Sequence, residues 1–141
     1  PPRSTLFPYT TLFRSYQRER IQKIADHYGL FHYAPLWKID TTEYMETMIE
    51  KGFKVIIVSV SALGLDESFL GKEIDREVLE KLKSLNKKYG VHIAGEGGEY
   101  ETFVVDAPIF KKRIKIEKSR KIIENLNGVL LIESVSLEDK S

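Results

Sequence analysis

Residues 53–60 read FKVIIVSV, a nearly unbroken run of apolar and mostly β-branched side chains. Such a run predicts a strand covered on both faces, the core strand of a mixed or parallel sheet. Upstream the period changes. Ile21, Ile24, Ala25 and Tyr28 fall at the i, i+3, i+4, i+7 spacing of a helical stripe, in a helix that starts near Tyr16 and is placed to stop at Gly29. LFHYAPLW, residues 30–37, reads as a short strand running into a loop, because Pro35 has no amide hydrogen for a central ladder. A second helix is predicted at DTTE, where Asp40 can cap and Glu43 can bond back. Its inner face carries Tyr44, Met45, Met48 and Ile49 before Gly52. A third begins at Asp75 and turns Val78, Leu79, Leu82 and Leu85 inward, with Lys83, Lys87 and Lys88 complementing its dipole and Gly90 closing it. Strands are predicted after that: VHIA at 91–94, TFVVDA at 102–107, RIKIE at 113–117 with Ile114 and Ile116 alternating against charges, and VLLIESVSL at 129–137.

Length and composition bound this picture. With 141 residues, 42% of them apolar, the chain suffices for one domain, or for one domain with a piece of another. The 22 basic and 21 acidic side chains nearly cancel, so the chain as a whole shows no bias toward nucleic acid or membrane. Without cysteine there is no disulfide frame, thiolate zinc site or cysteine nucleophile. No apolar run approaches the roughly 20 residues of a membrane span, and an intracellular soluble protein is expected. The segment PPRSTLFPYTTLFRS lacks an initiator methionine and repeats itself, with STLF at 4–7 and TTLF at 10–13. It resembles translated adapter sequence and is set apart from fold reasoning. The alternative is a β-hairpin with Pro8 and Tyr9 in its turn.

The densest chemistry lies in GEGGEYETFVVDAPIF, residues 95–110. Gly95, Gly97 and Gly98 permit close backbone approaches. Glu96, Glu99 and Glu101 would repel a phosphate, and nothing fits G-x-x-x-x-G-K-[ST], so the loop suits a cation: a metal, an ammonium ion or a positively charged substrate group. If a strand begins at Glu99, then Glu99 and Glu101 share a face with Phe103 while Tyr100 points the other way. Two such carboxylates raise one another's pKa, which suits proton transfer. A solvated acidic turn ahead of a buried strand accounts for the same residues. Asp106 is a turn-former or a ligand, and Trp37 is core or an exposed aromatic wall. His27, His32 and His92 lack metal-ligand spacing and read as packing or surface residues. Between Lys111 and Lys121 seven basic residues face the single Glu117, the pattern of a solvated edge strand or of a surface for an acidic partner or RNA.

YQRER at 16–20, APLW at 34–37, ALGLDESFLG at 62–71 and above all GEGGEYETFVVDAPIFKKRI at 95–114 resemble the second half of the diphthine–ammonia ligase family, relatives of the PP-loop ATP pyrophosphatases. The likeness spans about residues 16–116. It implies the ATP-dependent conversion of diphthine, a modified histidine on translation elongation factor 2, to diphthamide, with ammonium as nitrogen donor and release of AMP and pyrophosphate. ATP is the implied cofactor, with Mg2+ a candidate companion. The implied partners are elongation factor 2 bearing diphthine and ammonium, in the cytoplasm, with no membrane and with RNA not expected.

The family's nucleotide domain carries an S-G-G-K-D-S type loop, which these 141 residues lack. The expectation is a truncated reading frame that does not turn over alone. The implied fold is α/β: residues 1–15 non-native, 16–37 the end of a HUP-like (Rossmann-like) PP-loop nucleotide domain, and 38–141 a mixed α/β acceptor-substrate domain. The resemblance further implies that Glu96, Glu99 and Glu101 act catalytically in an acceptor pocket, with Gly97, Gly98 and Asp106 binding substrate and Tyr100 and Trp37 as cation-π walls. Gln17 and Arg18 would reach the nucleotide side. Two alternatives stay open: a ligase for another carboxylate, and a non-catalytic module that binds a translation factor or RNA.

Overall fold

A computed structural model describes residues 9–36 and 38–140, with side chains described throughout except at 9–15 and 17. The chain divides into two compact units, Pro1–Ile39 and Asp40–Ser141.

In the first unit, helix α1 covers Tyr9–His27, so it begins earlier than the apolar spacing predicts, and residues 10–13 of the alternative hairpin are helical. Its end is as expected: Gly29 adopts φ +64°, and Leu30 N–H donates to Ala25 O at 2.8 Å, closing the last turn. Of the stripe, Ala25 is buried while Ile21, Ile24 and Tyr28 are exposed. The strand expected at 30–37 is not formed among the described residues. Residues 30–34 are irregular and Pro35 and Leu36 lie in a turn. Among the described residues of this unit no strand offers this segment a ladder, and Phe31 and Tyr33 instead stack on each other with centroids 6.5 Å apart.

The second unit contains α2 (Thr41–Glu50), β1 (Lys54–Val60), a 3-10 turn (Glu67–Phe69), α3 (Arg76–Tyr89), β2 (Tyr100–Asp106), β3 (Lys112–Glu124) and β4 (Asn127–Asp139). Both predicted caps form. Asp40 accepts from Glu43 N–H at 3.0 Å and Asp75 from Val78 N–H at 2.8 Å, which satisfies amides that the first helical turn leaves unpaired. Gly90, at φ +73°, ends α3. Lys83 reaches Glu80 at 2.7 Å and Glu46 at 2.8 Å, tying α3 to α2.

The sheet order is β2-β1-β4-β3, and every pair is antiparallel. This corrects the expectation of a mixed or parallel sheet. The solid apolar run of β1 reports burial on both faces, not strand direction. β2 pairs along one edge of β1 from Lys54 to Val60. On the other edge β4 joins only at Ser59 and Val60, and the chain at 71–74 takes the rest: Gly71 N–H donates to Ile57 O at 2.8 Å, Ile57 N–H to Lys72 O at 3.0 Å, and Ile74 N–H to Val55 O at 2.8 Å. Ile57 is thereby fully buried, in a core shared with Val60, Leu70, Val78, Leu82, Tyr100 and Leu130.

Among the described residues the architecture is mixed α/β, with three α-helices, one four-stranded antiparallel sheet and no Rossmann-like part. Among them no helix is long and apolar enough to cross a membrane. The strand predicted at VHIA is also absent. Val91 is buried, Asn86 Nδ2 donates to Val91 O at 2.9 Å, and residues 92–98 fold into turns. The amides that a ladder would need there are used within the loop described next.

Candidate functional site

The loop between α3 and β2 is organised around one carboxylate. Glu99 is only 4% exposed, and its two oxygens accept from separate backbone amides, His92 N–H at 3.1 Å and Gly97 N–H at 2.9 Å. Gly97 is glycine for a steric reason: a Cβ there would lie 2.5 Å from Glu99 Oε1 and 2.8 Å from its carboxyl carbon. Further bonds close the ring of turns. Gly95 N–H donates to His92 O at 2.9 Å, Gly98 N–H to Gly95 O at 3.1 Å, and the His92 ring accepts from Ala94 N–H at 3.2 Å. Ser61, just past β1, fastens the end of the loop by donating from its hydroxyl to Gly98 O at 2.7 Å and from its amide to Glu99 O at 2.8 Å.

Tyr100 lies beneath this loop. Its ring is buried against the Gly95 backbone, where a Cβ would come within 3.0 Å of the ring, and its hydroxyl donates to Ile93 O at 2.6 Å. Burial, and then the nearby Glu99 charge, push the Tyr100 pKa far above the ordinary tyrosine value, so the phenol stays protonated.

β2 begins at Tyr100, one residue after Glu99, so strand alternation does not set the two carboxylates side by side. Glu99 turns inward to the loop amides, and Glu101 is exposed on the strand opposite Ser59. Among the described residues Glu101 makes no ion pair. Glu96 is half-exposed on the loop, with a carboxylate oxygen 3.6 Å from His92 Nε2. Glu96 on the loop and Glu101 on β2 are thus both solvent-accessible, and in sequence they lie on either side of Glu99, which fixes the frame.

The other candidates lie elsewhere. Asp106 ends β2, about 20 Å along the strand from Tyr100 at roughly 3.3 Å per residue, and is ion-paired with Lys140. The Lys140 ammonium holds the Asp106 carboxyl below its ordinary pKa. Arg18 is exposed on α1, the backbone of Gln17 belongs to the same helix, and Trp37 lies outside the described residues.

This geometry limits what the loop can hold. The amides of residues 92, 94, 95, 97 and 98 all donate inward, which leaves no cradle of bare N–H groups for the phosphates of ATP. Mg2+ needs a compact octahedral set of oxygens. Both oxygens of Glu99 are engaged by amides, and among the described residues no group of three His, Cys, Asp or Glu side chains could hold a metal. Outside that frame stand the carboxylates of Glu96 and Glu101, negative charge of a kind that suits an organic cation.

The basic stretch behaves differently. β3 is an edge strand, and acids of β4 pair with much of it: Lys112 with Asp139 at 2.9 Å, Arg113 with Glu138 at 2.8 Å, and Lys118 and Arg120 with Glu133 at 2.8 and 3.0 Å. Lys115 pairs with Glu117 and Glu138, both at 3.4 Å, and Lys121 donates to Glu67 O at 2.8 Å.

Neither His92 nor Ser61 stands out in the sequence as part of this loop. For His92 the available signal was its place seven residues before Glu99, at the opposite end of a glycine-rich turn.

Comparison with known proteins bears on the same residues. The family model described as diphthamide synthase C-terminal domain matches residues 40–137, which take in the loop and all of the sheet but the last two residues of β4. The chain is 38% identical over 135 residues to proteins named diphthine–ammonia ligase from Bos taurus and Homo sapiens, covering 92% of this chain and 50% of each relative. A Danio rerio protein of the same name is 38% identical over 136 residues, covering 92% of this chain and 53% of its own length. The chain thus spans about half the length of these curated relatives.

Proposed function

Because the chain belongs to the diphthamide synthase C-terminal domain family, we propose that it is the acceptor-handling part of an ATP-dependent diphthine–ammonia ligase. The reaction joins ammonium nitrogen to the carboxylate of diphthine on translation elongation factor 2 and gives diphthamide, AMP and pyrophosphate, which places the work in the cytoplasm. ATP supplies activation of the acceptor carboxylate, and we assign its site, with any Mg2+, to the half of the relatives that this chain does not span. Gln17 and Arg18 are candidates to face that side. The exposed stripe of Ile21, Ile24 and Tyr28 supports the assignment, since it offers apolar surface for a further domain to cover.

The observation that carries the proposal is the division of labour among the glutamates. Diphthine bears a trimethylammonium group, which has no proton to donate and is held by charge and by apolar or aromatic surface. Glu96 and Glu101 supply that charge from a loop whose shape Glu99 maintains. Ammonium must also lose a proton before its nitrogen can attack, and an exposed carboxylate beside the acceptor can take it. Tyr100 contributes as the buried floor of the loop, and Gly97 and Gly98 by leaving it room. The paired charges of β3 and β4 give no comparable support to an RNA-binding module.

The test is AMP release by a full-length ligase containing this domain, with diphthine-bearing elongation factor 2 and ammonium. Glu101→Gln and Glu96→Gln are each expected to slow turnover by about 100-fold, the usual scale for losing a proton-transfer group. Wild-type rates in both variants would refute the role of these carboxylates.

A further inference from the structure

His92 grips residue 96 twice. Its Nδ1 accepts from Ala94 N–H at 3.2 Å and from Glu96 N–H at 3.4 Å, and its Nε2 lies 3.6 Å from Glu96 Oε2. A ring nitrogen that accepts a hydrogen bond carries no hydrogen, so the neutral ring holds its proton on Nε2, the side that faces the Glu96 carboxylate. One imidazole thereby sets both the backbone and the side chain of an outward-facing glutamate. The same residue's backbone N–H donates to Glu99, so both fixed points of the loop meet at position 92.

We infer that His92 is a positioning residue of the acceptor loop: its neutral, Nε2-protonated ring sets the direction of the Glu96 carboxylate, and the loop keeps its shape only while Nδ1 is free to accept. This rests on the acceptor-loop reading above. With Nδ1 engaged by amides and Nε2 turned to Glu96, the ring itself is not placed to take a proton from substrate.

The groups around His92 define what protonation does. Glu96 faces Nε2, the Glu99 carboxylate sits on the His92 amide, the Tyr100 hydroxyl is bonded to Ile93 O, and from α3 the neutral Asn86 amide is bonded to Val91 O. A proton added to Nδ1 puts a donor against two amide hydrogens, so the backbone at 94 and 96 is released while attraction to Glu96 persists.

NMR of this chain tests the inference without reference to amidation. The expected result is an Nε2–H tautomer at neutral pH, with the Ala94 and Glu96 amide resonances following the His92 titration and exchanging faster on its acid side. A ring protonated on Nδ1, or amides that ignore that titration, would overturn it. His92→Asn keeps an acceptor at the δ position, so the two amides should hold and lose their pH dependence; His92→Gln lacks that acceptor, and its amides should be free at all pH values. In a full-length ligase His92→Gln should lower kcat roughly 100-fold, the scale of a small misplacement of reacting groups, with KM changing far less. His92→Asn keeps the acceptor for the two amides but not the Nε2 contact with Glu96, so it should recover only part of that loss and lose the pH dependence that follows the His92 titration. Equal rates for wild type and His92→Gln would refute the positioning role even if Glu101→Gln bears out the acceptor site, and the two proposals can therefore fail separately.

Discussion

The acidic loop at 95–101 and the basic strand at 111–121 are the two charge-dense stretches of the chain, and they dispose of their charge in opposite ways. The strand cancels most of its charge against its own neighbour: Asp139 and Glu138 of β4 stand across from Lys112 and Arg113 in the register of the hairpin, and Glu133, at the register shift, pairs with both Lys118 and Arg120. The loop has no such partner strand. It buries Glu99 on backbone amides and leaves Glu96 and Glu101 facing outward. Density of charge in a sequence does not by itself say how the fold disposes of it: the ribbon pairs its charges across two strands, and the loop takes one carboxylate onto backbone amides.

The largest expected effect lies in the buried carboxylate. Glu99→Gln replaces one acceptor oxygen with an N–H donor that must face an amide N–H, either of His92 or of Gly97, and should destabilise the second unit by about 2–3 kcal/mol. Urea unfolding of this chain measures it, and an unchanged midpoint would mean that Glu99 does not hold the loop. Tyr100→Phe comes next, with a loss near 1 kcal/mol from the hydroxyl bond to Ile93 O.

Tyr100 also predicts alkaline sensitivity. Its folded pKa is raised above the ordinary value of 10.0, so its contribution is complete below pH 10.0 and is lost as pH rises beyond it, because the unfolded chain then ionises first. Melting temperature followed through that range should fall more steeply in wild type than in Tyr100→Phe.

Smaller still is Glu133→Gln on the ribbon, which removes the partner of both Lys118 and Arg120. These pairs are exposed, so the cost should stay below about 1 kcal/mol and shrink further in high salt. A larger or salt-independent loss would mean that the ribbon depends on its charges as the loop depends on Glu99.

Much of the fold can be read locally. Asp40, Asp75 and Gly90 announce helix ends through side-chain and backbone chemistry within three residues of themselves, and β1, β2 and the β3–β4 alternation follow from side-chain periodicity. Strand direction is not local: an apolar run such as 55–58 looks the same in a parallel sheet as in an antiparallel one packed on both faces. VHIA misleads because the amide of His92 is claimed by a carboxylate seven residues later, a contact that no window of β propensity registers. Within the glutamate block, pattern alone gives three equivalent acids. The asymmetry comes from Gly97, whose missing side chain makes room for the Glu99 carboxylate and for no other.

The central claim is that an outward carboxylate on this loop acts in the reaction and does not hold up the fold. The most direct measurement pairs melting temperature with AMP release for Glu101→Gln in a full-length ligase supplied with diphthine-bearing elongation factor 2. The account predicts unfolding stability within about 0.5 kcal/mol of wild type, as for surface substitutions generally, together with a loss of amidation by about two orders of magnitude. Full activity at unchanged stability would contradict it.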